Sequence, residues 1–364
     1  MAVMPAFGVN RFDFTSPPAF AADVRRAEEL GWDYAFTPST PLLVRDEFVD
    51  LAFAAERTKR IGLGPLIVNP VMRHPAVIAS SIATVADLAP GRTLLTYGVG
   101  DTAVRLMGRH PATVAQLSDA VSLTRGLLSG EEIEVPAAAR RARLVHAAPV
   151  PVWVAAGGPR TLRMAGRIAD GVFIRVGRHP ANLRTAIDAV RAGAAEAGRE
   201  PGQVKIGAVF HTVLDDDPER AALISRSVAA GYYEYSPQLF GPPGFAWNGP
   251  PIEELKEKVW PDFHHTADMP ASGRVVSFLS DEVADAFALH GTPAMIAGQL
   301  EQVLAGDLPI SLVVTHPTPA TLPGSGQSPF LERVAAEVLP VVRQRLGPLA
   351  AQHRPQHAQR APEQ

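Results

Sequence analysis

Eight short apolar runs alternate with helical patterns between residues 6 and 346, and this alternation predicts an α/β fold, a (β/α)8 TIM barrel with an insertion segment between strand 7 and strand 8. Two further observations agree with it. Runs such as Val152 to Ala156 are apolar at successive positions, as expected of parallel strands buried on both faces. The alternation breaks for about 45 residues after the seventh strand, and loops of that length are usually functional or disordered; the aromatic residues here argue against disorder.

In order, Ala6 to Val9 reads as strand one, and Pro17-Pro18 opens a helix carrying Phe20, Val24, Ala27 and Leu30, with Gly31 as its C-terminal stop. Trp32 to Thr37 is strand two, followed by a helix over Asp46 to Arg57. Ile61 to Val68 is strand three, interrupted by Gly62 to Pro65, and Pro75 starts the helix through Leu88. Arg92 to Tyr97 is strand four and Ala112 to Leu128 its helix. Strand five stops at Gly157-Gly158, Pro159 begins a helix with Leu162, Ala165, Gly166 and Ile168 on one face, and Val172 to Ile174 is strand six. Pro180 to Ala197 is helical, Val204 to Thr212 is strand seven, and Asp215-Asp216-Asp217-Pro218 leads a helix to Tyr233. Helices near Asp281–Leu289 and over Pro293–Leu304 precede strand eight, Ser311 to Val314, and Phe330 to Leu346 closes the pattern.

We therefore expect one domain over residues 1–347, with 232–280 as a lid and the Gln-, Arg- and Pro-rich residues 348–364 as a disordered tail. A hydrophobic content of 46% supports a large core. No apolar run approaches the roughly 20 residues of a membrane span, and no basic-then-apolar leader precedes strand one, so a cytoplasmic protein off the membrane is expected. The chain has no cysteine, which removes thiolate metal sites, disulfides and cysteine nucleophiles. Its net charge of −3, from 34 basic and 37 acidic residues, provides no overall attraction for nucleic acid.

In such a barrel the chemistry gathers at the C-terminal ends of the strands. That rule alone nominates Asn10, Ser39, Thr40, Asn69, Arg73, His74, Gly98, Gly100, Asp101, Gly157, Gly158, Arg175, His211 and His316. No short-range ligand spacing supports a metal among them. The Gly157-Gly158 turn runs straight into a helix, where free backbone N–H groups suit a phosphate; a plain tight turn is the other reading.

Several stretches together resemble the luciferase-like family of flavin- and deazaflavin-dependent oxidoreductases, in particular its methylenetetrahydromethanopterin reductase-like branch. They are Leu30-Gly31-Trp32-Asp33, Arg57 to Gly64, Asn69-Pro70 with Arg73 to Val77, Gly98 to Asp101 with Gly108-Arg109 and Pro111 to Thr113, Ala155 to Pro159 with Ala169-Asp170-Gly171, and Gly291-Thr292-Pro293. Each is weak singly, and their order across residues 6–345 is specific.

The resemblance implies an enzyme that holds a deazaflavin (F420) or flavin (FMN) ring over the barrel mouth. It implies hydride transfer to or from a small organic substrate with F420, or oxygenation with reduced FMN; a barrel that has lost catalysis is a third reading. It implies a bulge with a cis peptide at Leu66-Ile67 backing the ring. The cofactor residues would be Ser39, Thr40, Leu66, Ile67, Asn69, Gly98, Gly100, Ala155, Ala156, Gly157, Gly158 and Arg175, and the catalytic candidates are Asp101, His74, His264 and His265. Family members commonly form homodimers. One departure stands out: Ser39-Thr40 occupies the end of strand two, where the deazaflavin enzymes typically carry an acidic pair or similar. The lid's Phe240, Phe245, Trp247 and Phe263 favour an apolar substrate.

Overall fold

The computed structural model describes residues 4–11, 15–134, 141–241, 243–319 and 328–352. Eight parallel strands close on themselves: β1 (Ala6–Asn10), β2 (Tyr34–Thr37), β3 (Gly62–Val68), β4 (Leu95–Tyr97), β5 (Val152–Ala156), β6 (Gly171–Ile174), β7 (Lys205–Leu214) and β8 (Ile310–Pro317). Each pairs with the next, β6 with β7 through Gly171↔Lys205, and β8 with β1 through Phe7↔Val313. Helices α1 (Pro17–Glu29), α2 (Glu47–Arg57), α3 (Pro75–Leu88), α4 (Val114–Leu128), α5 (Pro159–Ile168), α6 (Pro180–Glu196), α7 (Pro218–Tyr235) and α8 (Pro293–Leu304) wrap the outside.

Local chemistry explains the ends of these helices. Asp46, Thr113 and Asp217 each accept backbone N–H groups of the turn they precede, and Thr113 with Gln116 forms a reciprocal capping box that starts α4 at Val114 rather than Ala112. Proline opens α1, α3, α5, α6, α7 and α8, where its missing N–H leaves no helical bond unmade.

The barrel interior is filled rather than hollow. Phe36, Leu66, Leu94, Trp153, Phe173, Val209, Leu312 and Val314 form one buried cluster, with Phe36 edge-on to Phe173 at 5.6 Å and Trp153 against Phe173 at 4.7 Å. Room for these rings comes from glycines on neighbouring strands: a Cβ at Gly171 would lie 2.3 Å from the Trp153 ring, and one at Gly207 would lie 2.5 Å from the Phe173 ring. Such a plug leaves the strand C-termini as the place for a cavity.

Three regions differ from the sequence expectation. The helix expected through Leu289 stops at Phe287, and Ala288–Gly291 forms a further strand on the outer half of β7, with Ala288 opposite His211. β7 can carry it because it is 10 residues long and only its first half faces β6. A small hairpin, Ile133–Glu134 with Arg141–Ala142, follows α4. At the C-terminus the helical segment from Ser328 runs through a π turn at Val334–Val338 and on to Gln352, five residues past the expected start of the tail; residues 353–364 lie outside those described.

The insertion after α7 is a set of short helices, Ile252–Lys256, Met269–Val275 and Asp281–Phe287, joined by compact loops. Its aromatics pack on one another and on α7: Tyr233 stacks on Trp247 at 4.1 Å, Phe240 on Phe287 at 4.9 Å, and Trp247 meets Phe278 edge-on at 5.0 Å. Phe240, Phe245, Trp247 and Phe263 therefore build the lid's own core and do not line the cavity below it. These rings therefore give no reason to expect an apolar substrate. No helix among the described residues is long and apolar enough to cross a membrane.

Candidate active site

At the C-terminal mouth of the barrel, beneath the insertion, lies a cavity of about 250 Å³. One part of its wall is small and apolar: Leu66 and Ile67 from β3, Gly98, Val99 and Gly100 after β4, and Ala155, Ala156 and Gly157 from β5. The Leu66–Ile67 peptide is cis, and the β3–β4 register slips between Leu66 and Val68. Gly98 leaves space that Ile67 uses, since a Cβ there would come within 2.6 Å of the Ile67 side chain. Gly100 adopts φ +76°, the left-handed region that turns the chain into the helix Thr102–Leu106.

The other part is polar: Asn10, Arg175 and His316 from the strand ends, with Tyr232, Tyr235, His264 and His265 from α7 and the insertion. Just beneath them His211 of β7 has its ring centroid 4.6 Å from that of His264 and 4.7 Å from that of His316. Hydrogen bonds define its tautomer. Arg175, which can only donate, gives a hydrogen bond from Nη2 to Nε2 of His211 (2.9 Å), so the proton of His211 sits on Nδ1 and goes to Thr318 Oγ1 (2.9 Å). The Thr318 hydroxyl in turn donates to the His316 carbonyl (3.0 Å). Asn10 Nδ2 donates to Nδ1 of His316 (3.1 Å). Burial, then the neighbouring His and Arg charges, hold His211 and His316 well below the usual histidine range, so both are neutral.

His264 donates from Nε2 to the Val228 carbonyl (3.0 Å), and burial followed by the charge of Arg175 pushes it down to about 3. It packs on Gly231, where a Cβ would lie 2.3 Å from its ring. His265 is different. Its Nδ1 lies 2.8 and 2.9 Å from the two oxygens of Asp262, whose Oδ1 also accepts the backbone N–H groups of His264 (2.8 Å) and His265 (2.9 Å). Burial alone would raise the Asp262 carboxyl, but the hydrogen bond and charge of His265 outweigh it and keep it well below the usual carboxylate range. Tyr235, beside Asp262, has its phenol pushed up by burial and then by the charges of Asp262, Asp101 and Glu234, so it stays protonated.

Of the residues nominated from the sequence, Asn10, Ser39, Thr40, Leu66, Ile67, Gly98, Gly100, Asp101, Ala155, Ala156, Gly157, Arg175, His264, His265 and His316 line the cavity. The rest do not. His74 caps α3, its Nδ1 accepting from Ala76 N–H at 3.1 Å; exposed on the outside, it is removed from the catalytic set. Asn69 is buried and turns the chain by accepting the N–H groups of Val71 (3.2 Å) and Met72 (2.9 Å). Gly158 caps α5 beside open space, next to the lining Gly157. Asp101 reaches the cavity edge paired with Arg105 at 2.6 Å.

Two acids escaped the sequence reading. Asp262 had a visible signal, a carboxylate two and three residues before a histidine pair. Glu47 had none: it is the first residue of α2, buried, raised first by burial, with Arg73 at 3.4 Å and Ser39 as a hydrogen-bonding neighbour. An acid thus stands behind Ser39 although strand two itself carries none. A larger depression of about 1170 Å³ lies around the strand N-termini, but its Arg125 and Asp170 are bound to each other at 2.7 Å and no histidine among the described residues lines it. Among the described residues no three His, Asp or Glu side chains are arranged to hold a metal ion.

Comparison with known proteins gives concordant matches. The family model described as luciferase-like monooxygenase matches residues 13–307. The 5,10-methylenetetrahydromethanopterin reductase of Methanopyrus kandleri is 25% identical over 92% of this chain and 98% of its own length. The F420-dependent glucose-6-phosphate dehydrogenase of Kineococcus radiotolerans is 29% identical over 80% of this chain and 81% of its own. The solved structure of the coenzyme F420 dependent tetrahydromethanopterin reductase from M. kandleri superposes with a TM-score of 0.74, covering 93% of this chain and 99% of that one.

Proposed function

The chain belongs to the luciferase-like monooxygenase family, and on that premise we propose that it is an F420-dependent oxidoreductase acting on a small organic substrate in the cytoplasm. The observation that carries the cofactor assignment is the wall of Leu66, Ile67, Gly98, Val99, Gly100, Ala155, Ala156 and Gly157, small and apolar as a surface for a fused ring should be. The donor set fits as well, since Asn10 Oδ1 is buried at the cavity without a hydrogen-bond partner among the described residues and is an acceptor left for a ligand N–H. F420 supplies, when bound, the two-electron hydride donor or acceptor.

The protein's own residues orient, exclude water and handle the proton. Leu66, Ile67 and the glycines shape the ring face, Ser39 and Thr40 offer hydroxyls at its edge, and the Ala156-Gly157-Gly158 turn opening α5 receives the cofactor phosphate. His265, fixed through Nδ1 by Asp262, presents Nε2 as the atom that gives or takes the substrate proton. His264 has its only N–H committed to Val228 and is neutral, so it is a wall rather than an acid. Asp101 with Arg105 guards the rim.

Titration of the purified protein with F420 and, separately, with FMN, followed by fluorescence quenching, tests the assignment. F420 should bind well below millimolar and FMN more weakly. Absence of F420 binding below about 1 mM, near 4 kcal/mol of binding free energy, defeats it. Tighter FMN binding with substrate-dependent oxygen uptake would assign the chain to the oxygenating side of the family. A homodimer fits the surface, because α2 and α3 pack side by side and leave Val49, Phe53, Val77 and Leu88 exposed by 47%, 39%, 51% and 38%.

A further inference from the structure

We propose that the substrate carries an anionic group, a carboxylate or phosphate, and that Arg175 is its receptor; this rests on the F420-dependent reading for the position of the cofactor. The sequence assigned Arg175 to the cofactor. The charge pattern of the cavity points elsewhere.

The carboxylates at or beside the mouth have cationic or histidine partners: Asp101 with Arg105 at 2.6 Å, Asp262 with His265 at 2.8 Å, Glu47 with Arg73 at 3.4 Å and Glu234 with Lys256 at 3.0 Å. Arg175 forms no ion pair among the described residues, although it lines the cavity and is half-buried. Its side chain donates to Nε2 of a neutral histidine, His211, at 2.9 Å and neighbours the Tyr232 hydroxyl; neither partner carries a negative charge, and the remaining N–H donors are left for a ligand. His211 keeps its own proton for Thr318 and His316 accepts from Asn10, so the surrounding rings orient the guanidinium without cancelling its charge. A cation held in a partly desolvated cavity without an anion is costly, and the ligand that completes the pair gains charge-assisted hydrogen bonds.

Position decides which ligand. Arg175 follows β6, on the polar side shared with His211 of β7, His316 of β8 and Asn10 of β1, under His264 and His265 of the lid. The small-residue wall that suits the ring is on β3, β4 and β5, and the glycine turn assigned to the cofactor phosphate opens α5. The anion on Arg175 therefore sits beside the proton-handling His265 as part of the substrate.

The experiment uses protein saturated with F420 and labelled with ¹⁵N-histidine, titrated with inorganic phosphate and with acetate. Arg175 donates to His211, so occupancy should move the His211 ring nitrogens saturably. Arg175→Gln should weaken the probe by roughly tenfold to a hundredfold, the worth of hydrogen bonds to a charged group. Arg175→Lys, which keeps the charge, should lose less and serves if the Gln variant fails to fold by circular dichroism. F420 affinity should stay the same in both. Absence of a saturable shift, or equal binding by Arg175→Gln, overturns the proposal. A parallel fall in F420 affinity also overturns it, by returning Arg175 to the cofactor. If the unaltered protein binds no F420, the functional reading fails on its own, and the same titration of cofactor-free protein still tests the anion site.

Discussion

Both carboxylate oxygens of Asp262 lie within 2.9 Å of Nδ1 of His265, while one of them also accepts two backbone N–H groups from the same turn. The carboxylate cannot rotate without breaking the turn, so the imidazole it holds is aimed by the backbone. His265→Ala is expected to lower kcat by roughly 10²- to 10⁴-fold, the usual worth of a general acid or base, with F420 affinity little changed. Asp262→Asn, which weakens the hold on Nδ1, should also lower kcat with F420 affinity little changed. Unchanged turnover in His265→Ala would remove the residue from the reaction.

Acid should unfold this protein early. His211, His264 and His316 have folded pKa values below their unfolded ones, so the unfolded chain binds more protons as pH falls below about 6.5 and stability drops by up to about 1.4 kcal/mol per pH unit for each. Asp262 adds the same sign below its ordinary carboxylate value. Glu47 and Glu234 are raised and act oppositely, losing stability as pH rises above their ordinary value near 4.5. The net expectation is a denaturation midpoint in urea that falls between pH 6.5 and 4.5; a flat profile there contradicts the neutral-histidine cluster.

Gly158→Asp separates binding from folding. Among the described residues nothing lies within 4 Å of a Cβ at Gly158, and its φ of −84° suits any residue, so the melting temperature should stay within a degree or two. The added carboxylate faces the expected phosphate position, and F420 affinity should fall about tenfold or more. Unaltered affinity would move the phosphate away from this turn.

Phe53→Glu combined with Val77→Glu places two charges on the exposed apolar face of α2 and α3. Light scattering should report a dimer for the unaltered chain and a monomer for this variant, with the fold kept by circular dichroism. A monomer from the start would leave that face without a partner copy.

Much of this architecture is legible in the residues alone. Strand and helix periods, proline starts such as Pro75 and Pro159, and glycines at strand ends report local backbone preferences, and local preferences are what a linear pattern can carry. The barrel, the cis peptide at Leu66–Ile67 and most of the cavity wall followed from that pattern and the family resemblance it supports. Tertiary structure alone decided the charges and proton positions. His74 and His265 both stand outside the periodic runs of the sequence, yet one caps a helix in solvent and the other lines the cavity, held by Asp262. Arg175 and His211 are 36 residues apart, and the parallel pairing of β6 with β7 brings them to 2.9 Å. Burial and long-range pairing set which of these groups is charged, and neither is encoded in the spacing of neighbours along the chain.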